Sequence, residues 1–155
     1  MPPGDDLFTR LQGIAAQTAL VLETNNLRGG KNAGEALGSL QRLIARLALQ
    51  SLAPRAFAQW IITHDGLDLE ARQALCSLAG CALEFIEIDA GTGYYDAKNV
   101  GFDGVDQARC QYVVFADADC LPDDDWLLQM LLPFTHESDA PAVVAGRTSY
   151  ADYLF

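Results

Sequence analysis

The sequence predicts an α/β fold in which a mostly parallel sheet is flanked by helices. Three observations support this prediction. Short apolar runs of strand length recur along the chain, segments with helical periodicity separate them, and glycines, prolines or polar turns mark the boundaries. Strands that alternate with helices in this way form βαβ units, which build a parallel sheet.

Five apolar runs are predicted to be strands. They lie at residues 19–22, 57–63, 83–88, 112–116 and 142–145. The first and fourth runs are continuously apolar, as is typical of strands that are buried on both faces of a sheet. Glu84 and Glu87 interrupt the third run, so its alternation of apolar and polar residues is imperfect.

Four segments are predicted to be helices, and they lie at residues 36–51, 68–79, 95–109 and 123–132. In the first segment Leu40, Ile44 and Leu47 recur on one face at helical spacing. Arg42 and Arg46 fall on the opposite face, which makes this helix amphipathic.

Glycine and proline residues refine the predicted helices. Pro54 ends the first helix, and Gly80 follows the second at the position where a glycine C′ residue is expected. Gly101 and Gly104 lie inside the third helix, where each glycine costs about 1 kcal/mol of helix propensity. Close packing of this helix on the sheet would explain both glycines.

Length and composition indicate one domain, which we place at residues 18–155 after a tail or leading helix at residues 1–17. The formal net charge is -11, and no basic stripe is present to bind a nucleic-acid backbone. No apolar stretch approaches the roughly 18 residues of a membrane span, and the start lacks the pattern of a secretory signal. The four cysteines lack zinc-site spacing, so we expect free thiols in a reducing cytosol.

Two aspartates, Asp117 and Asp119, stand directly after the fourth predicted strand. Open α/β sheets bind their ligands at the carboxyl ends of their strands. Two carboxylates there, with Cys120 and Pro122 completing the turn, suit a hard divalent cation that carries a phosphorylated ligand. The alternative is that the two aspartates only form a turn, since aspartate is a common turn residue.

Several segments together resemble glycosyltransferase family 2 in order and spacing. They are residues 94–101 (YYDAKNVG), 112–122 (YVVFADADCLP) and 125–127 (DWL), with the first loop and the THDG sequence at 63–66. The resemblance runs over residues 19–126. It implies a GT-A-like, Rossmann-like fold and, within it, the half that binds a nucleotide sugar.

The resemblance also implies that the Asp-Ala-Asp sequence is the DxD metal motif of the family, with Mn²⁺ or Mg²⁺ as the cofactor. A divalent cation would neutralise the charge of the leaving diphosphate as a Lewis acid. Phosphate oxygens and water would complete its coordination shell, so few carboxylates are needed. By this resemblance Asp119 is the direct metal ligand, and Asp117 faces the ribose or the water shell of the metal.

Four further residues are assigned to nucleotide-sugar binding by the resemblance. Asp65 matches the last acid of the family's DDGS-like motif and would accept the imino N–H of uracil or guanine. Thr24 and Asn26 would contact the base, and Lys98 would place a positive charge near the diphosphate. The alternatives are ordinary turn residues for the first three, and a solvated helix lysine for Lys98.

Three residues depart from the pattern of the family. His64 replaces the usual first acid, and we interpret it as a turn residue rather than a base or a metal ligand. Glu23 stands where the family often has proline, and Asn25 stands where it often has an aromatic residue.

The implied function is transfer of a sugar from a UDP-sugar or GDP-sugar to an unidentified acceptor. No general base is identifiable, because Glu137, Asp139 and Asp152 are the only acids beyond the last predicted helix and none has a matching context. We therefore expect a fragment of a longer enzyme or a donor-binding remnant, with the acceptor half absent and little or no transfer by this chain alone. Self-association through exposed apolar surface is also expected.

Two other functions remain open at this stage. One is a non-enzymatic nucleotide-binding or interaction module. The other is a nucleotidyltransferase-like enzyme, although Arg28, Gly29 and Gly30 match the phosphate loop of that class only faintly. The expected location is the cytoplasm, or the inner face of a membrane if a longer form carries an anchor.

Overall fold

The computed structural model describes residues 3–24, 33–136 and 141–149. This part of the chain folds into a parallel sheet that has helices on both faces. None of its helices is long and apolar enough to cross a membrane.

Four strands form one sheet in which every described pairing is parallel, which confirms the predicted fold class. The strands are β1 (Thr18–Glu23), β2 (Gln59–His64), β3 (Glu84–Glu87) and β4 (Tyr112–Asp117), and their order across the sheet is β3-β2-β1-β4. Every residue of the central strands β1 and β2 is buried. Burial on both faces explains why these two sequences are largely apolar.

Five α-helices flank the strands within the described residues. They are α1 (Pro3–Ala15), α2 (Ala33–Ala48), α3 (Leu69–Ala79), α4 (Tyr94–Asp103) and α5 (Trp126–Leu131), and short 3₁₀ helices lie at Pro54–Ala56 and Leu132–Thr135. The first helix begins at a proline because the first turn of a helix does not use its backbone N–H groups.

The two faces of the sheet are covered unequally. On one face, α1, α2, α3 and α5 pack around the larger hydrophobic core, which includes Leu20 and Ile62 from the sheet. On the other face, α4 packs on β1 and β2 over a smaller core that contains Val21 and Ile61. Consecutive strand residues enter opposite cores because their side chains alternate between the two faces.

Helix α4 lies unusually close to the sheet at its two glycines, which confirms the reason predicted for them. A Cβ atom on Gly101 would lie 2.5 Å from Val21 Cγ1 and 3.1 Å from Thr63 Cγ2. A Cβ atom on Gly104 would collide with Ile86 Cδ1. This approach brings the first residues of α4 beside the carboxyl ends of the strands.

Helix α3 has the ends that the sequence predicts. Gly80 adopts a left-handed φ of 65°, and its N–H donates to the Cys76 carbonyl at 3.1 Å. Glycine suits this position because it has no Cβ to strain the left-handed backbone. At the other end the Asp68 carboxylate accepts a hydrogen bond of 2.8 Å from the Ala71 N–H.

Two predicted helices are shorter than expected. The helix predicted at residues 95–109 ends at Asp103, since Gly104 terminates it and Val105 enters the smaller core. The helix predicted to start at residue 123 begins at Trp126, because residues 123–125 form the turn that leads into it.

Two predicted strands also need correction. The strand predicted at residues 142–145 is wrong, because residues 141–149 contain neither strand nor helix and Val143 is 81% exposed. An apolar run forms a strand only where a neighbour pairs with it, and none pairs with this run within the described residues. The second strand begins at Gln59 rather than residue 57, since Phe57 still bonds to the preceding 3₁₀ turn.

Candidate functional site

Polar residues gather where β1, β2 and β4 end, as expected for the ligand-binding end of an open parallel sheet. The register places Glu23 of β1 beside Thr63 of β2 and Asp117 of β4. Thr24 continues the chain after β1, and Asp65 continues it after β2. Residues that are far apart in the sequence therefore lie along one end of the sheet.

A tight turn follows the last residue of β4. The Cys120 N–H donates to the Asp117 carbonyl at 3.0 Å, and the Ala118 N–H donates to the Glu23 carbonyl at 3.1 Å. Ala118 is thereby buried against the sheet, whereas Asp119 is exposed. The two aspartates do form a turn, and that turn presents the second carboxylate at the surface.

The carboxylate of Asp117 is held by two side chains of α4. Lys98 Nζ lies 2.7 Å from Asp117 Oδ1, and the Tyr94 hydroxyl donates to Asp117 Oδ2 at 2.8 Å. Lys98 Nζ also donates to the Tyr94 hydroxyl at 2.5 Å and lies 4.3 Å from the centre of the Tyr94 ring. Its contact with Oδ1 is an ion pair, since Oδ1 accepts no well-directed hydrogen bond from the described residues. The three side chains form a closed ring of contacts.

These contacts determine the protonation states of Lys98 and Tyr94. Burial lowers the pKa of Lys98, but its contacts with Asp117 and Tyr94 outweigh burial and raise the pKa above its ordinary value. Burial raises the pKa of Tyr94, and the contact with Asp117 adds to this against the opposing effect of Lys98. Lys98 is therefore charged and Tyr94 is protonated at neutral pH, so the charge of Asp117 is balanced by its neighbour.

Asp65 lies in a small cleft beside the end of β1. It is 5% exposed, and Glu23 and Thr24 on the same cleft are 3% and 2% exposed. The cleft is also lined by Ile88, Asp89, Gly91 and Thr92. The Thr24 hydroxyl donates to the Thr63 carbonyl at 2.8 Å, so it ties the ends of β1 and β2 together. Asn26 lies outside the described residues.

His64 organises the turn that carries Asp65. Its ring is fully buried, and Nδ1 accepts hydrogen bonds from the N–H groups of Gly66 at 3.3 Å and Leu67 at 3.1 Å. An imidazole that accepts at Nδ1 carries its proton on Nε2 and is neutral. This geometry confirms that His64 is a turn residue. Its ring accepts backbone hydrogen bonds as a turn aspartate would.

Arg46 of α2 and Gln50, which lies just after that helix, hold the segment that follows the Asp-Ala-Asp turn. Arg46 donates to the Pro122 carbonyl from Nε at 3.3 Å and from Nη2 at 3.2 Å. Gln50 Nε2 donates to the Asp123 carbonyl at 2.5 Å, and its Oε1 accepts from the Leu127 N–H at 2.9 Å. The turn that carries Asp119 is thus anchored to a helix on the larger core.

The donor set of the turn suits a cation that is shared with a second ligand. The described residues contain no group of three or more histidine, cysteine or acidic side chains that could hold a metal ion. Asp119 offers one exposed carboxylate, and Asp117 already contacts Lys98 and Tyr94. A hard divalent cation fits here when phosphate and water oxygens complete its shell.

The fold and the polar ends of its strands define a Rossmann-like α/β protein of GT-A type. The model of glycosyl transferase family 2 matches residues 34–153, which is most of the chain, and the protein therefore belongs to this family. This membership makes it a glycosyltransferase-like protein. A comparison with curated proteins finds no match to the chain.

The sequence did not reveal every side chain that shapes this end of the sheet. Tyr94 and Lys98 are four residues apart on α4, and this spacing is the one signal that could have paired them. Arg46 and Gln50 look like members of an ordinary solvated helix face, because their partners are carbonyl groups about 75 residues away. Every residue has a backbone carbonyl group, so the sequence does not show which of them accepts a hydrogen bond.

Proposed function

We propose that the protein is the donor-binding half of a glycosyltransferase, which binds a nucleotide diphosphate-sugar together with a divalent cation for transfer of the sugar to an acceptor. One observation carries the proposal: in a chain of glycosyl transferase family 2, the Asp117–Asp119 turn stands beside a lysine at the ligand-binding end of the sheet. A cation and an ammonium group side by side suit a ligand with two adjacent phosphates.

The roles that we propose for the residues are compatible with their contacts. Asp119 would hold Mn²⁺ or Mg²⁺, which when bound supplies Lewis-acid neutralisation of the leaving diphosphate. The ammonium group of Lys98 has three N–H donors, and its described contacts are with Asp117 and Tyr94. Its remaining donor would bind a diphosphate oxygen. Asp117 would accept a hydrogen bond from the ribose or from water on the metal.

Base recognition is assigned to the cleft beside β1. A carboxylate can accept the imino N–H of uracil or guanine, and adenine has no such N–H group on its ring. Asp65 is nearly enclosed between the ends of the first two strands, so a base that bonds to it would be largely removed from water. A hydrogen bond to a charged group in such a place contributes about 1.5–3 kcal/mol.

The experiment that tests the proposal is calorimetric titration of the protein with UDP, GDP and ADP, in Mn²⁺ and in chelator. UDP or GDP should bind at least about tenfold more tightly with Mn²⁺, which corresponds to about 1.4 kcal/mol. ADP should bind weakly under both conditions. Equal affinity in Mn²⁺ and chelator would refute the metal-dependent site. Binding that is equal in Mn²⁺ and in chelator, without release of diphosphate, would favour a nucleotide-binding module.

We expect Asp65→Ala to weaken binding of the preferred UDP or GDP by about 5- to 100-fold, because a buried donor on the base would lose its partner. ADP binding should hardly change. Calorimetry in Mn²⁺ measures both. Asp103→Ala is the matched control, since Asp103 is an exposed carboxylate at the end of α4, outside the cleft, and its removal changes the charge equally. Equal affinities of the Asp65→Ala and wild-type proteins for every diphosphate would show that Asp65 is an ordinary turn residue and does not bind the base.

A further inference from the structure

Tyr94 begins α4 and uses its hydroxyl to connect the two charged partners of the ring. The hydroxyl donates to Asp117 Oδ2 at 2.8 Å and accepts from Lys98 Nζ at 2.5 Å. Lys98 occupies the other carboxylate oxygen at 2.7 Å. Both oxygens of Asp117 therefore face donors of the protein itself.

This arrangement affects which carboxylate oxygens of the turn are available to bind a cation. A divalent ion binds to carboxylate oxygens that offer it a free lone pair. Asp117 is the poorer ligand, because the Tyr94 hydroxyl proton takes one lone pair of Oδ2 and an ammonium group, which repels cations, lies beside Oδ1. Asp119 has no such neighbour among the described basic residues. The two aspartates of the turn are thus unequal as ligands.

We propose that Tyr94 is a positioning residue that holds Asp117, together with Lys98, out of the coordination shell of the cation. The protein without nucleotide then binds a divalent cation through Asp119 alone, and weakly. The cation enters with the diphosphate, whose oxygens supply the missing ligands. This inference rests on the proposed function.

The proposal predicts an unusual result for Tyr94→Phe, in which two affinities change in opposite directions. The metal-free protein should bind Mn²⁺ alone at least about tenfold more tightly, since Oδ2 loses the hydroxyl proton that competes with the cation. The freed Oδ2 becomes a second ligand. Binding of the preferred diphosphate in Mn²⁺ should weaken about two- to tenfold, because Asp117 loses a hydrogen bond that orients it. A residue that only packs would not strengthen binding of the cation.

Tyr95→Phe is the matched control. Tyr95 is the next residue of α4, it is 78% exposed, and its hydroxyl makes no hydrogen bond within the described chain. Both affinities should equal those of the wild-type protein. Phenylalanine at position 94 keeps the ring beside Lys98, so the melting temperature of Tyr94→Phe should stay near that of the control.

Calorimetric titration of the metal-free protein with Mn²⁺ alone measures the affinity that tests this inference. Unchanged Mn²⁺ affinity in folded Tyr94→Phe overturns the inference. If that variant does not fold, Lys98→Met replaces it in the test. This substitution removes the ammonium group from Oδ1, so it should also strengthen Mn²⁺ binding. Unchanged Mn²⁺ affinity of Lys98→Met would overturn the inference as well. Loss of Mn²⁺-dependent diphosphate binding in Asp119→Ala is the separate test of the proposed function, so a failure of either idea is recognised on its own.

Discussion

Asp119→Ala is expected to remove the dependence of diphosphate binding on Mn²⁺ while leaving the fold intact. Asp119 is exposed at the middle of a turn whose hydrogen bonds are made by backbone groups, so its side chain contributes little to stability. Its loss would leave the cation without its direct protein ligand. Affinity for UDP or GDP in Mn²⁺ should fall at least about 10- to 100-fold, as for other changes at metal sites. Affinity in chelator should stay at the wild-type value.

The control for this result is Asp123→Ala. Asp123 is an exposed carboxylate four residues further along the chain, and Gln50 contacts only its backbone carbonyl. Both variants change the net charge by the same amount, so a general weakening by lost charge would appear in both. Should Asp119→Ala keep the wild-type difference between Mn²⁺ and chelator, the metal site does not depend on this carboxylate.

Gly101→Ala is expected to destabilise the protein, although alanine is the better helix former. The added methyl group would lie 2.5 Å from Val21 Cγ1, and Val21 is fully buried on a central strand. Valine has one preferred rotamer in most settings and cannot move aside easily. Overpacking of this kind costs about 1–3 kcal/mol, and about 1 kcal/mol of improved helix propensity opposes it. Urea denaturation should show a lower midpoint at an unchanged slope.

Gly13→Ala in α1 provides the comparison. A Cβ atom on Gly13 meets nothing within 4 Å, and the residue is exposed inside a helix. It should raise the free energy of unfolding by about 0.5–1 kcal/mol. The two glycine substitutions should thus change stability in opposite directions. Equal stability of both variants would mean that α4 is not tightly seated. Because α4 also carries Lys98, displacement by the Gly101 variant should weaken diphosphate binding as well.

Fold class was predictable because strands of a parallel sheet leave short continuous apolar runs in the sequence. Strand β1 is buried on both faces, whereas the edge strand β4 exposes Phe115. The runs that contain Val21 and Val114 are apolar over their whole length, and they form β1 and β4 within one residue of the predicted bounds. The run around Val143 has similar composition but no strand beside it in the described structure. Composition indicates that a segment can form a strand, and only the tertiary structure supplies the partner.

The candidate site was predictable where a residue type follows a strand end. Asp65, Asp117 and Thr24 all lie at that end of the sheet, because parallel strands bring their carboxyl ends together. The sequence could not show how Asp117 is partnered, since side-chain contacts between α4 and β4 depend on how closely the helix sits. Gly101 predicts a close approach of this helix, but the sequence does not show that Val21 is the side chain it approaches.

The anchoring of the Asp-Ala-Asp turn by Arg46 and Gln50 has a consequence for which substitutions this chain can tolerate. Arg46 and Gln50 bind the carbonyl groups of Pro122 and Asp123, and a carbonyl group is the same in every amino acid. Substitutions at residues 122 and 123 would leave these acceptors in place, whereas substitutions of the arginine or the glutamine would remove the donors. Selection on these contacts should therefore act on one side only. Substitutions are tolerated at residues 122 and 123, beside the Asp-Ala-Asp turn, and restricted at the distant residues 46 and 50.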